Sequence, residues 1–247
     1  MFSFHLAVIS KVKPAYLLAS LIILGWVIGV VGDQISVFPV IQIRELMLEE
    51  VGYLNATVFL EQFNILVVNY HQYYQLFSSN FVTDSFEDAV FNAIAVLILD
   101  RISDSTQFNL SRYMCVFLFS AIVGNILSLV AGPFLLSAGA SGGIFGLYAA
   151  IFSFSWAEEK KIDRATLGIF LIIFIASSLL PNVNYYAHLG GAIGGFITGP
   201  LLYQILSPKI QSYSDSSKSS MSTKVIVSLV VIAMVLGTIL QFYFFVT

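Results

Sequence analysis

Opening a peptide bond with an alcohol needs a hydroxyl nucleophile, a base to take its proton and donors for the developing oxyanion. Histidine is the usual base because it titrates near neutrality. The chain has three histidines, His5, His71 and His188. Only His188 falls inside a long apolar run, in Ala187-His188-Leu189-Gly190-Gly191-Ala192-Ile193-Gly194-Gly195. The hydroxyl that could pair with it is Ser141, in Gly139-Ala140-Ser141-Gly142-Gly143-Ile144-Phe145-Gly146, at the start of another apolar run. Asn92, early in a third run, carries an amide able to donate to an oxyanion without bringing charge. Asp88 lies four residues before it, on the same face of a helix.

Each residue also has a plainer reading. Glycine and serine are common where transmembrane helices touch, so Gly-x-Ser-Gly alone is weak. A histidine within a span is costlier and more often functional. Asn92 alone reads as a helix-packing hydrogen bond, and Cys115 and Asn125 read as packing residues. The combination is stronger than its parts if the elements bring these residues to one depth.

Those elements are spans. Of 247 residues, 58% are hydrophobic and only 10% charged, against roughly 25% charged in soluble domains. Apolar runs near the roughly 20 residues that cross a bilayer account for the excess. Seven spans are expected, at about 15–36, 85–103, 112–132, 140–157, 165–182, 186–206 and 223–246. The first follows Lys11 and Lys13 but is longer than a signal core and lacks a small-x-small cleavage site, so it reads as retained. Charge supports the count. With a cytoplasmic N-terminus, Lys11, Lys13, Arg101, Arg112, Lys160, Lys161, Arg164, Lys209, Lys218 and Lys224 fall inside or at inner span ends, and only Arg44 falls outside. The C-terminus then lies outside. The second, fourth and sixth spans all run inward, so Asn92, Ser141 and His188 share a layer just below the outer surface. Gly191, Gly195 and Gly199 repeat every four residues and form a helix-packing strip; Gly142 and Gly146 offer the matching one.

Outside the spans, the loop at about 37–84 carries Ile43, Leu46, Met47, Val58, Phe59, Phe63, Leu66 and Val67 at helical spacing, with acidic residues between. That pattern predicts amphipathic helices in the interface. The organisation is therefore a 1–14 cytoplasmic tail, a 15–206 six-span core, a 207–222 serine-rich linker and a 223–247 final span. A lone cysteine excludes an internal disulfide and a thiolate cluster. His-Glu-x-x-His for zinc is absent, as is a pair of facing mid-span aspartates.

At Gly139-Ala140-Ser141-Gly142 and Ala187-His188-x-x-Gly191-x-x-x-Gly195, with Asn92 in the second span, the chain resembles the rhomboid family of intramembrane serine proteases. The resemblance covers about residues 15–206; the seventh span looks like the extra C-terminal helix of some members. It implies an all-α, polytopic fold: a six-helix rhomboid core plus a seventh transmembrane helix. It also implies a Ser141–His188 dyad, an oxyanion site supported by Asn92, Gly139 and Gly142, no metal or nucleotide cofactor, and transmembrane segments of other proteins as substrates. The partners are those substrates and the lipid bilayer, with no nucleic acid; the oligomeric state stays open.

The pattern departs from the family in places. The family's second-span His-x-x-x-Asn reads Asp88-x-x-x-Asn92 here, and a further histidine five residues earlier is Thr83. The Trp-Arg pair of the outer loop aligns with Tyr74-Gln75. The tyrosine that stacks on the family histidine is Phe145, which keeps the aromatic face and loses the hydroxyl. An ionised Asp88 would oppose an oxyanion, so it is expected to be protonated or turned away. Two other functions remain: a rhomboid-fold protein that binds transmembrane segments without cutting them, and a small transporter.

Overall fold

The computed structural model describes residues 13–37, 54–83, 85–102, 109–159, 164–178 and 183–206. Within them run six long helices: α1 (Pro14–Asp33), α2 (Phe86–Ile102), α3 (Leu110–Ser128), α4 (Ser141–Glu159), α5 (Arg164–Ser178) and α6 (Tyr185–Leu206). Each begins and ends within a few residues of an expected span. His5, the amphipathic pattern around Leu46, the linker at 207–222 and the seventh span at 223–246 lie outside the described residues.

Helices are what lipid permits, because every backbone donor and acceptor is satisfied within the segment. Local signals set where they start. Pro14 opens α1 at a position whose N–H has no intrahelical partner anyway. Ser85 Oγ accepts from Asp88 N at 3.0 Å, and Glu87 and Asp88 occupy the positive first turn of α2. Asn109 caps α3, accepting from Arg112 N at 3.1 Å. Pro14–Asp33 and Leu110–Ala131 are by themselves long and apolar enough to cross a bilayer. Large apolar side chains such as Phe91 and Ile172 stand exposed on the bundle surface, as lipid-facing residues do.

The core is built on α3, α4 and α6, which pack closely because their contact faces carry almost no side chain. A Cβ added at Gly191 would overlap the Gly142 carbonyl, and one at Gly195 would overlap the Gly146 carbonyl. Gly199 meets Ser153 and Ala150 in the same way. A second strip, Gly190 and Gly194, presses α6 on α3, where added Cβ atoms would lie 2.8 Å from Gly124 Cα and 2.9 Å from Ser120 Cα. Leu18, Val96, Leu99, Phe117 and Leu147, all fully buried, fill the space towards α1 and α2.

The segment between α1 and α2 differs from the expected amphipathic helices. Residues 54–83 break into short pieces: a 3-10 turn (Ala56–Phe59), β3 (Gln62–Phe63) and helices Asn64–Asn69 and Gln75–Ser78. Strand β3 pairs antiparallel with β4 (Leu136–Ser137), four residues before Ser141. The upstream strands β1 (Ser36–Val37) and β2 (Leu54–Asn55) pair with each other. The cause is a buried polar scaffold. Gln62 Nε2 donates to Asn64 Oδ1 (2.8 Å) and the Asn125 carbonyl (2.9 Å); Asn64 Nδ2 donates to the Ser128 and Gly132 carbonyls. Gln75 Oε1 accepts from Phe63 N at 2.9 Å. Buried side-chain amides must find partners, and here they find backbone that a continuous helix would have withheld.

Candidate active site

Two contacts put Ser141 and His188 at the same end of the bundle as that polar scaffold. Ser79 O accepts from Gly139 N at 2.9 Å, and the Gly25 face of α1 abuts the Phe81 carbonyl. The opposite end is marked by Lys13, whose ammonium pairs with the nearly buried Asp100 at 2.9 Å.

Ser141 is the first residue of α4. The first intrahelical bond runs from Ile144 N to Ala140 O at 3.1 Å, so the N–H groups before it have no helical acceptor and point outwards with the positive end of the helix dipole. The Ser141 hydroxyl is half-buried and lies 2.8 Å from His188 Nε2. His188 is 3% exposed, on the first turn of α6. Its ring is flanked by Phe145, with ring centroids 4.6 Å apart at 50°, and more distantly by Phe174 of α5 at 6.4 Å. Phe145 also packs edge-on against Phe174 at 5.1 Å, so one aromatic cluster fixes the histidine between α4 and α5.

Gly139 has φ +116°, a conformation that L side chains rarely adopt. An added Cβ there would lie 2.8 Å from Asp88 Oδ2. Asp88 is therefore not turned away: its carboxyl abuts the backbone two residues before Ser141. One turn further along α2, Asn92 is buried and its Nδ2 has no hydrogen-bond partner among the described residues. Gly142 sits against α6, where a Cβ would meet the Ala187 carbonyl at 3.0 Å. The structure thus gathers Ser141, His188, Phe145, Gly139, Gly142 and Asp88 in one layer, with Asn92 a turn below Asp88.

Three residues that the sequence left unremarked or read as packing matter here. Ser178, at the end of α5, places its Oγ 3.0 Å from His188 Nδ1. Asn184 caps α6: its Oδ1 accepts from Ala187 N at 3.2 Å, while its Nδ2 donates to Ser128 Oγ (2.8 Å) and Ser137 Oγ (3.0 Å). One amide so ties the histidine helix to α3 and to the strand leading to Ser141. Asn125 is a hub whose Nδ2 donates to Leu76 O, Ser79 Oγ and Asn80 Oδ1 at 2.8–3.2 Å. The position of Asn184, four residues before His188 at a helix start, was a readable capping signal.

A bundle of apolar helices with a serine–histidine hydrogen bond buried near one end defines an integral membrane protein with the elements of an acyl-transfer site. The chain belongs to the rhomboid family: the family's sequence model, described as "Rhomboid domain", matches residues 70–205, more than half of the chain. It is 28% identical over 166 residues to RHOMBOID-like protein 1 of Arabidopsis thaliana, covering 65% of this chain and 40% of that protein. It is 35% identical over 96 residues to rhomboid protease GluP of Bacillus subtilis (strain 168), covering 37% and 18%. Rhomboid-like protease 3 of Toxoplasma gondii is 33% identical over 96 residues, covering 36% of each. The matched stretches span less than half the length of these curated relatives.

Proposed function

We propose that this chain is an intramembrane serine endopeptidase that cuts transmembrane segments of other membrane proteins near the outer face. The observation that carries this reading is the 2.8 Å approach of Ser141 Oγ to His188 Nε2, within the 2.6–3.2 Å reach that general-base catalysis needs. His188 takes the Ser141 proton as Oγ bonds to the substrate carbonyl carbon. The oxyanion is held by N–H groups at the start of α4 and by Asn92 Nδ2. The C–N bond then breaks, and the amine leaves with the proton from His188. Water attacks the resulting ester, giving its proton to His188, which returns it to Ser141 Oγ as the acid departs. Burial beside Phe145 and Phe174 strengthens each of these electrostatic contacts. The Lys and Arg distribution supports a cytoplasmic N-terminus and an outward-facing site.

A non-cutting binder of transmembrane segments is the second reading, favoured by one observation: Asp88 abuts Gly139, where a charged carboxylate would oppose an oxyanion. The two readings part in proteoliposomes carrying the protein and a panel of transmembrane segments with helix-breaking residues near one end. Fragments found by mass spectrometry with wild type, and absent with Ser141→Ala and His188→Ala, are the expected result. Binding of a segment by the folded wild type with no fragment from any of the panel would favour the binder.

A further inference from the structure

We infer that Ser178 positions His188: its hydroxyl oxygen accepts from Nδ1–H, holding the imidazole in the tautomer whose Nε2 is free to accept from Ser141. The effect on rate rests on the hydrolytic reading above; the tautomer does not.

The two ring nitrogens of a histidine have different tasks, and the hydrogen bond at one sets the state of the other. At His188 both are occupied by hydroxyls. Ser141 Oγ lies 2.8 Å from Nε2 and Ser178 Oγ lies 3.0 Å from Nδ1. A base for Ser141 must carry its proton on Nδ1, and that proton needs an acceptor. The ring is 3% exposed, so Nδ1 faces protein groups rather than open solvent. Serine can act as donor or acceptor, and Ser178 is the group in place. During acyl transfer the imidazolium would donate from both nitrogens, and Ser178 would hold the second of these.

The plainer reading is that Ser178 is an ordinary serine in an apolar helix, whose hydroxyl returns to its own backbone. Its neighbour does this: Ser177 Oγ donates to Phe174 O at 3.2 Å. Ser178 instead reaches across to another helix. Beside it lies a cavity of about 390 Å³ lined by Phe174, Ile175, Ser178, Tyr185 and Leu189. Among the described residues the remaining lining is apolar or aromatic, and the hydroxyl turns to the ring nitrogen.

The chain has three histidines, so His5→Gln with His71→Gln leaves His188 as the single imidazole. In that background, ring-15N spectra of detergent-solubilised protein report the His188 tautomer. Ser178→Ala, Ser178→Val and Ser178→Thr are compared, with the labelling rate by a fluorophosphonate measured alongside. The expected result is a dominant Nδ1–H tautomer in the parent, loss of that dominance in Ala and Val, and its recovery in Thr. Labelling should slow roughly tenfold in Ala and Val, about what one hydrogen bond of ordinary strength supports, and recover in Thr. Val matches Thr in shape, so with both variants folded a difference between them isolates the hydroxyl from packing. An unchanged tautomer in a folded Ala or Val variant, or a Thr variant that behaves as Val does, overturns the inference. A tautomer that shifts as expected in a protein that never labels supports the positioning role and sinks the hydrolytic reading instead.

Discussion

Gly191→Ala adds one methyl group and should disable the site while leaving the fold standing. Gly191 lies three residues beyond His188 on α6, and its added Cβ would overlap the Gly142 carbonyl oxygen and sit 2.6 Å from the carbonyl carbon. The obstacle is backbone, so no side-chain rotation relieves it. A real Cβ keeps at least 3.0 Å from such atoms, which requires α6 and α4 to part by roughly 1 Å in a close-packed interior. The same two helices carry His188 and Ser141, 2.8 Å apart. Opening that contact to roughly 3.8 Å breaks it as a hydrogen bond. A misplacement of roughly 1 Å costs on the order of 10²-fold in rate, whereas overpacking costs about 1–3 kcal/mol of stability. The assay is the rate of fluorophosphonate labelling measured beside thermal unfolding in one detergent. Gly168→Ala in α5 is the control: among the described residues an added Cβ there meets nothing within 4 Å, so stability should rise by about 0.5–1 kcal/mol with labelling unchanged. Wild-type labelling by a folded Gly191→Ala protein would refute the claim that the glycine contact sets the geometry of the pair.

Further predictions concern the groups around the serine. Asn92→Ala should slow substrate cleavage on the order of 10²-fold with the melting temperature little changed, as loss of one oxyanion donor does; cleavage at the wild-type rate removes Asn92 from the site. Asp88→Asn replaces a carboxyl that can ionise beside Gly139 and should raise the labelling rate most at high pH; a rate unchanged across a pH series would show that no charge there opposes the reaction. Asn184→Ala removes a cap worth about 1 kcal/mol and two side-chain hydrogen bonds of about 1 kcal/mol each, and should lower the melting temperature by about 5 °C or more. An unaltered melting curve would mean that the ties to Ser128 and Ser137 carry no load.

The sequence was legible where physical constraint is simple. A bilayer demands long apolar helices, so the bounds of α1 to α6 follow from apolar length and charged ends. The four-residue repeat of Gly191, Gly195 and Gly199 shows a face without side chains, and its contact with Gly142, Gly146 and Ser153 needs that face. Ser141 and His188 stood out because a polar group in an apolar run needs a reason. The rest was hidden for equally physical reasons. Ser178 has no spacing that separates it from Ser177, since serine in a helix usually bonds its own backbone. The segment between α1 and α2 has the apolar period of a helix, but period ignores amides: Gln62, Asn64 and Gln75 draw the chain into short pieces by binding backbone elsewhere. Asn125 looked like packing because its three acceptors come from residues 76–80, far away in sequence. The i, i+4 spacing puts Asp88 on the face of Asn92, yet only the folded chain sets it against Gly139 rather than away from it.

In the proposed reaction His188 activates Ser141 for attack. Folded, detergent-solubilised protein treated with a fluorophosphonate and mapped by peptide mass spectrometry tests it most directly. Wild type should carry an adduct on Ser141, and His188→Ala none. No adduct in folded wild type, or an equal adduct in His188→Ala, would contradict it.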